Sequence, residues 1–143
     1  MKWNTALFPI LVAIFVLVTG LSIEKSPQND RGEEVYRQYC QRCHGSDGAG
    51  GKGLFNISER KIWQQSPREI IRVVAFGASG RNVYGKTGLR VGMPPAPYTD
   101  IDIAAVSVYA MKVLGKRDVK ISADDVSEVK RKHVTELRKR LEK

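Results

Sequence analysis

The chain is poor in the residues that most often carry chemistry. It has only two cysteines and two histidines among 143 residues. That excludes a disulfide-stapled secreted scaffold, which needs several pairs. A four-ligand zinc site would consume all four side chains, and His133 stands alone, far along a charged segment. Strand-like alternation is weak throughout, so a βαβ redox or nucleotide-binding unit has no support. No Ser-His-Asp or paired-carboxylate constellation is present, which removes hydrolytic chemistry. No repeat shows at solenoid periods and no segment is low-complexity. Acidic residues are also scarce, 15 against 24 Lys and Arg, leaving a formal charge of +9. Such an excess suits nucleic acid, anionic lipid or an acidic protein surface. Hydrophobic residues at 42% and charged residues at 27% are those of a globular chain and not of a disordered one.

Only one long hydrophobic run exists, and it is terminal. Lys2 is followed by an uncharged stretch from Trp3 to Ile23, densest from Ala6 to Val18. A positive start and a short apolar core fit a secretory signal, with Val18-Thr19-Gly20 as a poor cleavage site. The run is also long enough to cross a bilayer once. It lacks Ala-x-Ala and stays apolar through Leu21 and Ile23, which favours a retained anchor over residues 5–23. No cysteine lies near its end, against a lipid-anchored start. Both readings place the rest of the chain outside the cytoplasmic membrane, and nucleic acid is then not a partner. Residues 1–23 are read as anchor or signal, 24–29 as a polar linker, 30–118 as the domain, and 119–143 as a basic helical extension.

Both cysteines fall in Tyr39-Cys40-Gln41-Arg42-Cys43-His44. The segment from Gly32 to His44 reads as a helix, with Glu33 and Glu34 in a first turn where the helix dipole favours them. Val35, Tyr36, Tyr39, Cys40 and Cys43 recur at spacings of three and four, so they share one face. His44 is four residues after Cys40 and joins that side. Four readings compete. A redox disulfide of this spacing belongs at a helix start after a strand, whereas this pair lies at a helix end. Zinc lacks ligands. Two small buried thiols would leave the adjacent histidine unexplained. A covalent haem gives all three residues a role, since C-x-x-C-H is the c-type attachment signature.

A six-coordinate haem needs a second axial ligand. The candidates are Met1, Met93, Met111 and His133. Met1 belongs to the export segment, Met111 reads as a gap-filler in an amphipathic helix, and His133 sits beside Lys-Arg-Lys, where solvation is expected. Met93 lies between Gly92 and Pro94-Pro95, a setting that lets the backbone approach closely and stiffens the loop. Gly48 to Gly53 matches G-x-G-x-x-G, but a helix precedes it where a dinucleotide site needs a strand.

At this point the chain resembles the class I c-type cytochromes over roughly Asp30 to Lys116. Gly32, Tyr36, Cys40, Cys43 and His44 follow that family's first-helix pattern. The glycine-rich stretch after the motif is similar to its haem-edge loop, and Val91-Gly92-Met93-Pro94-Pro95-Ala96 to its axial-methionine loop. Val106 and Tyr109 resemble the final-helix residues that cross the first helix near Gly32 and Tyr36. Leu54-Phe55-Asn56 departs from the proline-leucine pair that many members carry. The resemblance implies a small all-α fold around one covalent haem c. Cys40 and Cys43 would hold that haem, with His44 and Met93 as axial ligands. It implies an electron carrier, not an enzyme, that meets an oxidase, reductase or dehydrogenase as redox partner, or serves as a haem-carrying subunit of a membrane oxidoreductase complex. A five-coordinate haem enzyme or sensor follows if Met93 does not bind. Trp63, Tyr98 and Arg90 are further candidates, as partners for haem propionates.

The remaining segments are read from their ends. Ser66-Pro67-Arg68-Glu69 is a capping box with proline at the first helical position, and Gly77 is the stop. Thr99 caps a second helix running to about Leu114, with Gly115 as its stop and Ile103, Val106, Ala110 and Val113 as its apolar face. Ser122 opens the C-terminal helix. Its partial stripe of Val126, Val129, Leu137 and Leu141 is expected to rest on the domain, with the basic residues facing a redox partner or lipid heads.

Overall fold

The structure is a computed structural model that describes residues 27–50, 56–58, 61–78 and 92–143. The apolar run Trp3–Ile23, Arg90 and most of the Ala78–Val91 loop therefore lie outside the described residues. Helix α1 (Pro27–Val35) continues through a π-helical turn (Tyr36–Cys40) into α2 (Gln41–His44). A 3₁₀ turn (Lys61–Gln64) precedes α3 (Pro67–Phe76), followed by α4 (Asp100–Val113) and α5 (Ala123–Leu141). Among the described residues there is no strand. One isolated antiparallel bridge pairs Ala78 with Met93. Among the described residues the first helix is already formed at Pro27, five residues ahead of Gly32, where the sequence pattern began it, so it takes in part of the expected 24–29 linker.

Helix α4 is the centre. It packs against α1, α3 and α5, and Asp102 through Val108, Ala110 and Met111 are buried. The expected amphipathic helix is thus buried nearly all round, as a helix covered on three sides must be. Met111 is fully buried, in keeping with its reading as a filler of the core. Each fully buried aliphatic side chain of this kind contributes about 1.5–3 kcal/mol.

The α1–α4 crossing depends on Gly32. A Cβ there would run into the carbonyl of Ala105 and stand 2.8 Å from the Cβ of Tyr109. Glycine lets the backbones meet. Tyr36 then lies against Tyr109, ring centroids 5.5 Å apart. Tyr109 takes the expected place, but the residue facing Gly32 is Ala105. Val106 is buried in the core one position along. Beside the crossing, Arg31 Nε donates to Asp102 at 2.7 Å, and Asp102 also accepts from the Thr99 hydroxyl at 2.8 Å.

The helix ends follow the sequence with two differences. Ser66 accepts from the Glu69 N–H, but the Glu69 carboxylate turns to Arg72 at 2.5 and 2.9 Å. The ion pair at i,i+3 on α3 takes the carboxylate that a full capping box would use. After α4 the residue with positive φ is Lys116 (φ 53°), not Gly115. Gly115 is there for closeness. A Cβ would stand 2.7 Å from the Met111 carbonyl and 3.2 Å from the Cβ of Trp63. Ser122 and Asp125 form the complete capping box of α5. Val126 and Val129 bury against the domain, whereas Leu137 and Leu141 are 44% and 88% exposed. The expected stripe therefore rests on the domain over its first half only. His133 is likewise not fully solvated. Its ring lies 4.1 Å from that of Phe76.

Candidate functional site

The segment Tyr36–Cys40 is wound as a π-helix, a form that often appears as a single turn at functional sites. It carries at one end Tyr36, which meets α4 at Tyr109, and at the other Cys40, the first residue of the motif. Tyr36 is buried, Cys40 is half-buried against the core and Cys43 is exposed. Both cysteines are free thiols. Burial, with a smaller contribution from Cys43, pushes the Cys40 thiol up to about 11. Cys40 is therefore protonated at neutral pH, unlike the low-pKa thiolate of a redox disulfide motif. Burial also raises the Tyr36 phenol.

Gly45 stops the helix at φ 74°, and its N–H returns to the Gln41 carbonyl at 2.8 Å. Its own carbonyl accepts from the Tyr36 hydroxyl at 2.9 Å. The chain then folds back. Gly50 N–H donates to the half-buried His44's carbonyl at 2.7 Å, and the Gly48 carbonyl accepts from Ile57 and Ser58 at 2.7 and 3.1 Å. From Gly45 to Gly50 the glycine-rich stretch is a turn that follows a helix, where a dinucleotide site needs a strand. Gly51, Lys52 and Gly53 of the G-x-G-x-x-G match lie outside the described residues.

Met93 sits on the opposite strand of chain. Its N–H donates to the Ala78 carbonyl at 2.8 Å, and its carbonyl accepts from the Ala78 N–H at 3.0 Å. Gly77 (φ 76°) touches it so closely that a Cβ would overlap the Met93 carbonyl. Ala96 N–H donates to the Val74 carbonyl at 3.0 Å. The loop is thus sewn by its backbone to the end of α3. It is also tied to the motif helix: the Tyr39 hydroxyl donates to the Pro95 carbonyl at 2.9 Å, and the Tyr39 and Tyr98 rings meet edge to face at 5.7 Å. Tyr39 precedes Cys40 directly, so this link joins the two candidate ligand segments. Sequence periodicity placed Tyr39 on the apolar face. Nothing in its pattern pointed to Pro95, 56 residues away.

The other candidates separate. Trp63 Nε1 donates to the Ile57 carbonyl at 2.5 Å, and the ring is buried. It is a core aromatic with its donor already engaged, not a propionate partner. The Arg117 guanidinium, which the sequence did not single out, donates to the Trp63 and Gln65 carbonyls at 2.7 Å each. Tyr98 remains beside the loop through Tyr39. Among the described residues no three His, Cys, Asp or Glu side chains converge as metal ligands.

The family model described as cytochrome c oxidase, cbb3-type, subunit III, matches residues 27–109. The chain belongs to this family. It is a c-type cytochrome related to the FixP and CcoP subunits. It is 34% identical over 71 residues to the cbb3-type cytochrome c oxidase subunit FixP of Bradyrhizobium diazoefficiens, covering 46% of this chain and 24% of that protein. It is 26% identical over 114 residues to the CcoP subunit of Rubrivivax gelatinosus, covering 79% of this chain and 35% of that protein. A fructose dehydrogenase cytochrome subunit of Gluconobacter japonicus is 27% identical over 106 residues, 69% of this chain and 22% of the relative. The chain therefore spans about a third or less of the relatives it matches. Cys40 and Cys43 of this subunit III relative have the spacing of a c-type haem attachment site.

Proposed function

We propose that the protein carries single electrons on one haem c, joined through Cys40 and Cys43 and ligated by His44 and Met93, as a haem-bearing component that works with a membrane oxidoreductase complex on the extracytoplasmic side. The observation that carries the reading is the juxtaposition of the motif helix and the methionine loop through the Tyr39–Pro95 bond. When bound, the haem supplies a one-electron Fe(III)/Fe(II) couple, whose potential a neutral thioether raises relative to two imidazoles. The chain's own residues do the rest. Cys40 and Cys43 are both free thiols, the form that would be joined to the haem as thioethers. Tyr36 holds the turn after His44 through Gly45. The Ala78 bridge and the Gly77 contact fix the backbone that presents Met93. With His44 and Met93 both holding the iron, no ligand position would be left for a substrate, so the protein would act as a carrier and not as a catalyst. The complex as partner is favoured over a free carrier because the relatives whose names specify an assembly are oxidase or dehydrogenase subunits.

The test is the absorption spectrum of the protein matured with haem, beside Met93→Ala. The oxidised protein is expected to show the weak red methionine-to-ferric-iron band, and the variant to lack it. If the band is missing and the reduced protein takes up carbon monoxide as fast as the variant, the iron is open and the carrier reading fails.

A further inference from the structure

Helix α5 packs on the described part of the domain less closely in its second half. Among the described residues His133 is the last of the helix with a ring contact to the body, through Phe76. The eight helical residues from 134 to 141 follow, a reach of about 12 Å at the helical rise. This end carries three exposed apolar side chains, Val134, Leu137 and Leu141. Their spacing of three and then four is that of the a and d positions of a heptad. In that register Arg131 and Arg138 take the e positions and Arg140 a g position, all exposed. His133 takes the other g. Glu136 and Glu142 fall on the outer b and c positions. The three arginines thus flank the seam, Lys132, Lys139 and Lys143 lie outside it, and in this stretch no acidic side chain takes an e or g position.

Charges at e and g select the partner of a helical seam. A second copy would set arginine against arginine, which disfavours self-pairing. Basic side chains in the last turn also suit the helix dipole, but that does not account for an apolar ridge left in water between them. We propose that residues 131–141 dock a helix of another protein whose apolar seam is flanked by acidic side chains. The position gives the contact a use. Phe76 is followed by Gly77, which touches the Met93 carbonyl, so the arm leaves the domain beside the methionine loop. A protein held there has its surface near the proposed electron site. The segment lies outside the family match, which ends at residue 109.

The probe is a fluorescent 21-residue helical peptide with leucine at a and d and glutamate at e and g, set against the same peptide with lysine at e and g. Anisotropy is measured on the full-length, haem-loaded protein. The glutamate peptide is expected to bind at least about ten-fold tighter, and Leu137→Asp with Leu141→Asp to weaken it by about ten-fold or more. Arg131→Glu, Arg138→Glu and Arg140→Glu together should invert the preference toward the lysine peptide. The proposal is overturned if neither peptide binds, if both bind alike, or if the triple variant keeps the original preference. It is equally overturned if the peptides fail while phosphatidylglycerol vesicles sediment the protein through the same residues, or if sedimentation shows a dimer that needs Leu137. The visible spectrum is recorded on every variant. An unchanged spectrum with altered peptide binding separates this contact from the haem reading.

Discussion

The two candidate ligand segments are held in different ways. The His44 segment ends a continuous helix, and the helix is placed by close packing: Gly32 against Ala105, Tyr36 against Tyr109, Arg31 to Asp102. The Met93 segment is an irregular loop, placed by backbone hydrogen bonds to Ala78 and Val74 and by one hydroxyl from Tyr39. Packing of a buried helix is unforgiving of volume. A loop on a few hydrogen bonds can yield locally without loss of the fold. The comparison teaches that the His44 segment stands or falls with the domain, whereas the Met93 loop can detach alone.

The largest expected effect breaks the His44 side. Gly32→Val puts a branched side chain into the Ala105 carbonyl, and overpacking of this kind costs about 1–3 kcal/mol or more. Urea unfolding should show the loss, with the yield of haem-loaded protein falling alongside. Wild-type stability would show that the crossing can relax. Next, Asp102→Asn removes the carboxylate that accepts from Arg31 and Thr99, for a loss of about 1–2 kcal/mol at neutral pH. The Arg31 bond is the main cause that holds this carboxyl below its usual range. Its stabilisation is therefore complete above the unfolded carboxylate value near ~4 and is lost as pH falls through the folded value. The variant should flatten the acid limb of the stability curve, and an unchanged limb would count against the pair.

Tyr39→Phe sharpens the contrast. The lost bond to Pro95 is exposed, so global stability should drop by only about 0.5–1 kcal/mol. The red methionine band should nevertheless vanish at a lower temperature than the unfolding transition. Coincident loss of band and fold in both proteins would remove the distinction between the two sides. The smallest effect is expected at Glu128. Arg68, and after it Lys132, hold this carboxyl down to about 2, yet the pair is exposed and solvent screens it. Glu128→Gln should leave the urea midpoint at pH 7 nearly unchanged and soften only the acid limb between about 4 and 2. A large shift at pH 7 would mean that the α3–α5 contact depends on charge more than on Val126 and Val129.

Much of the site was legible because its signals are local. Cys40, Cys43 and His44 lie within five residues, so a single helix end brings them together. Ser66, Thr99 and Ser122 cap helices through residues three positions on. Met93 stood out through its glycine and proline neighbours. What was not legible depends on distant partners. Helix α4 has a face that periodicity could find, but only α1, α3 and α5 together decide that its other sides are covered too. Gly115 looks like a helix stop, and the need for glycine there comes from Trp63 and Met111. Trp63 looked available to a propionate until Ile57 took its N–H. The C-terminal stripe is a single pattern in the sequence, yet only Val126 and Val129 of it are buried against the domain.

The sequence by itself determined the attachment motif, the helix caps at Ser66, Thr99 and Ser122 and the excess of positive charge, the motif and caps being set within a turn or two of chain. Only the tertiary structure decided that Tyr39 ties the motif helix to the methionine loop, that α4 is enclosed, and that Val134, Leu137 and Leu141 remain uncovered. Hydrogen bonds and burial between residues tens of positions apart depend on how helices cross, and a linear pattern carries no record of that crossing.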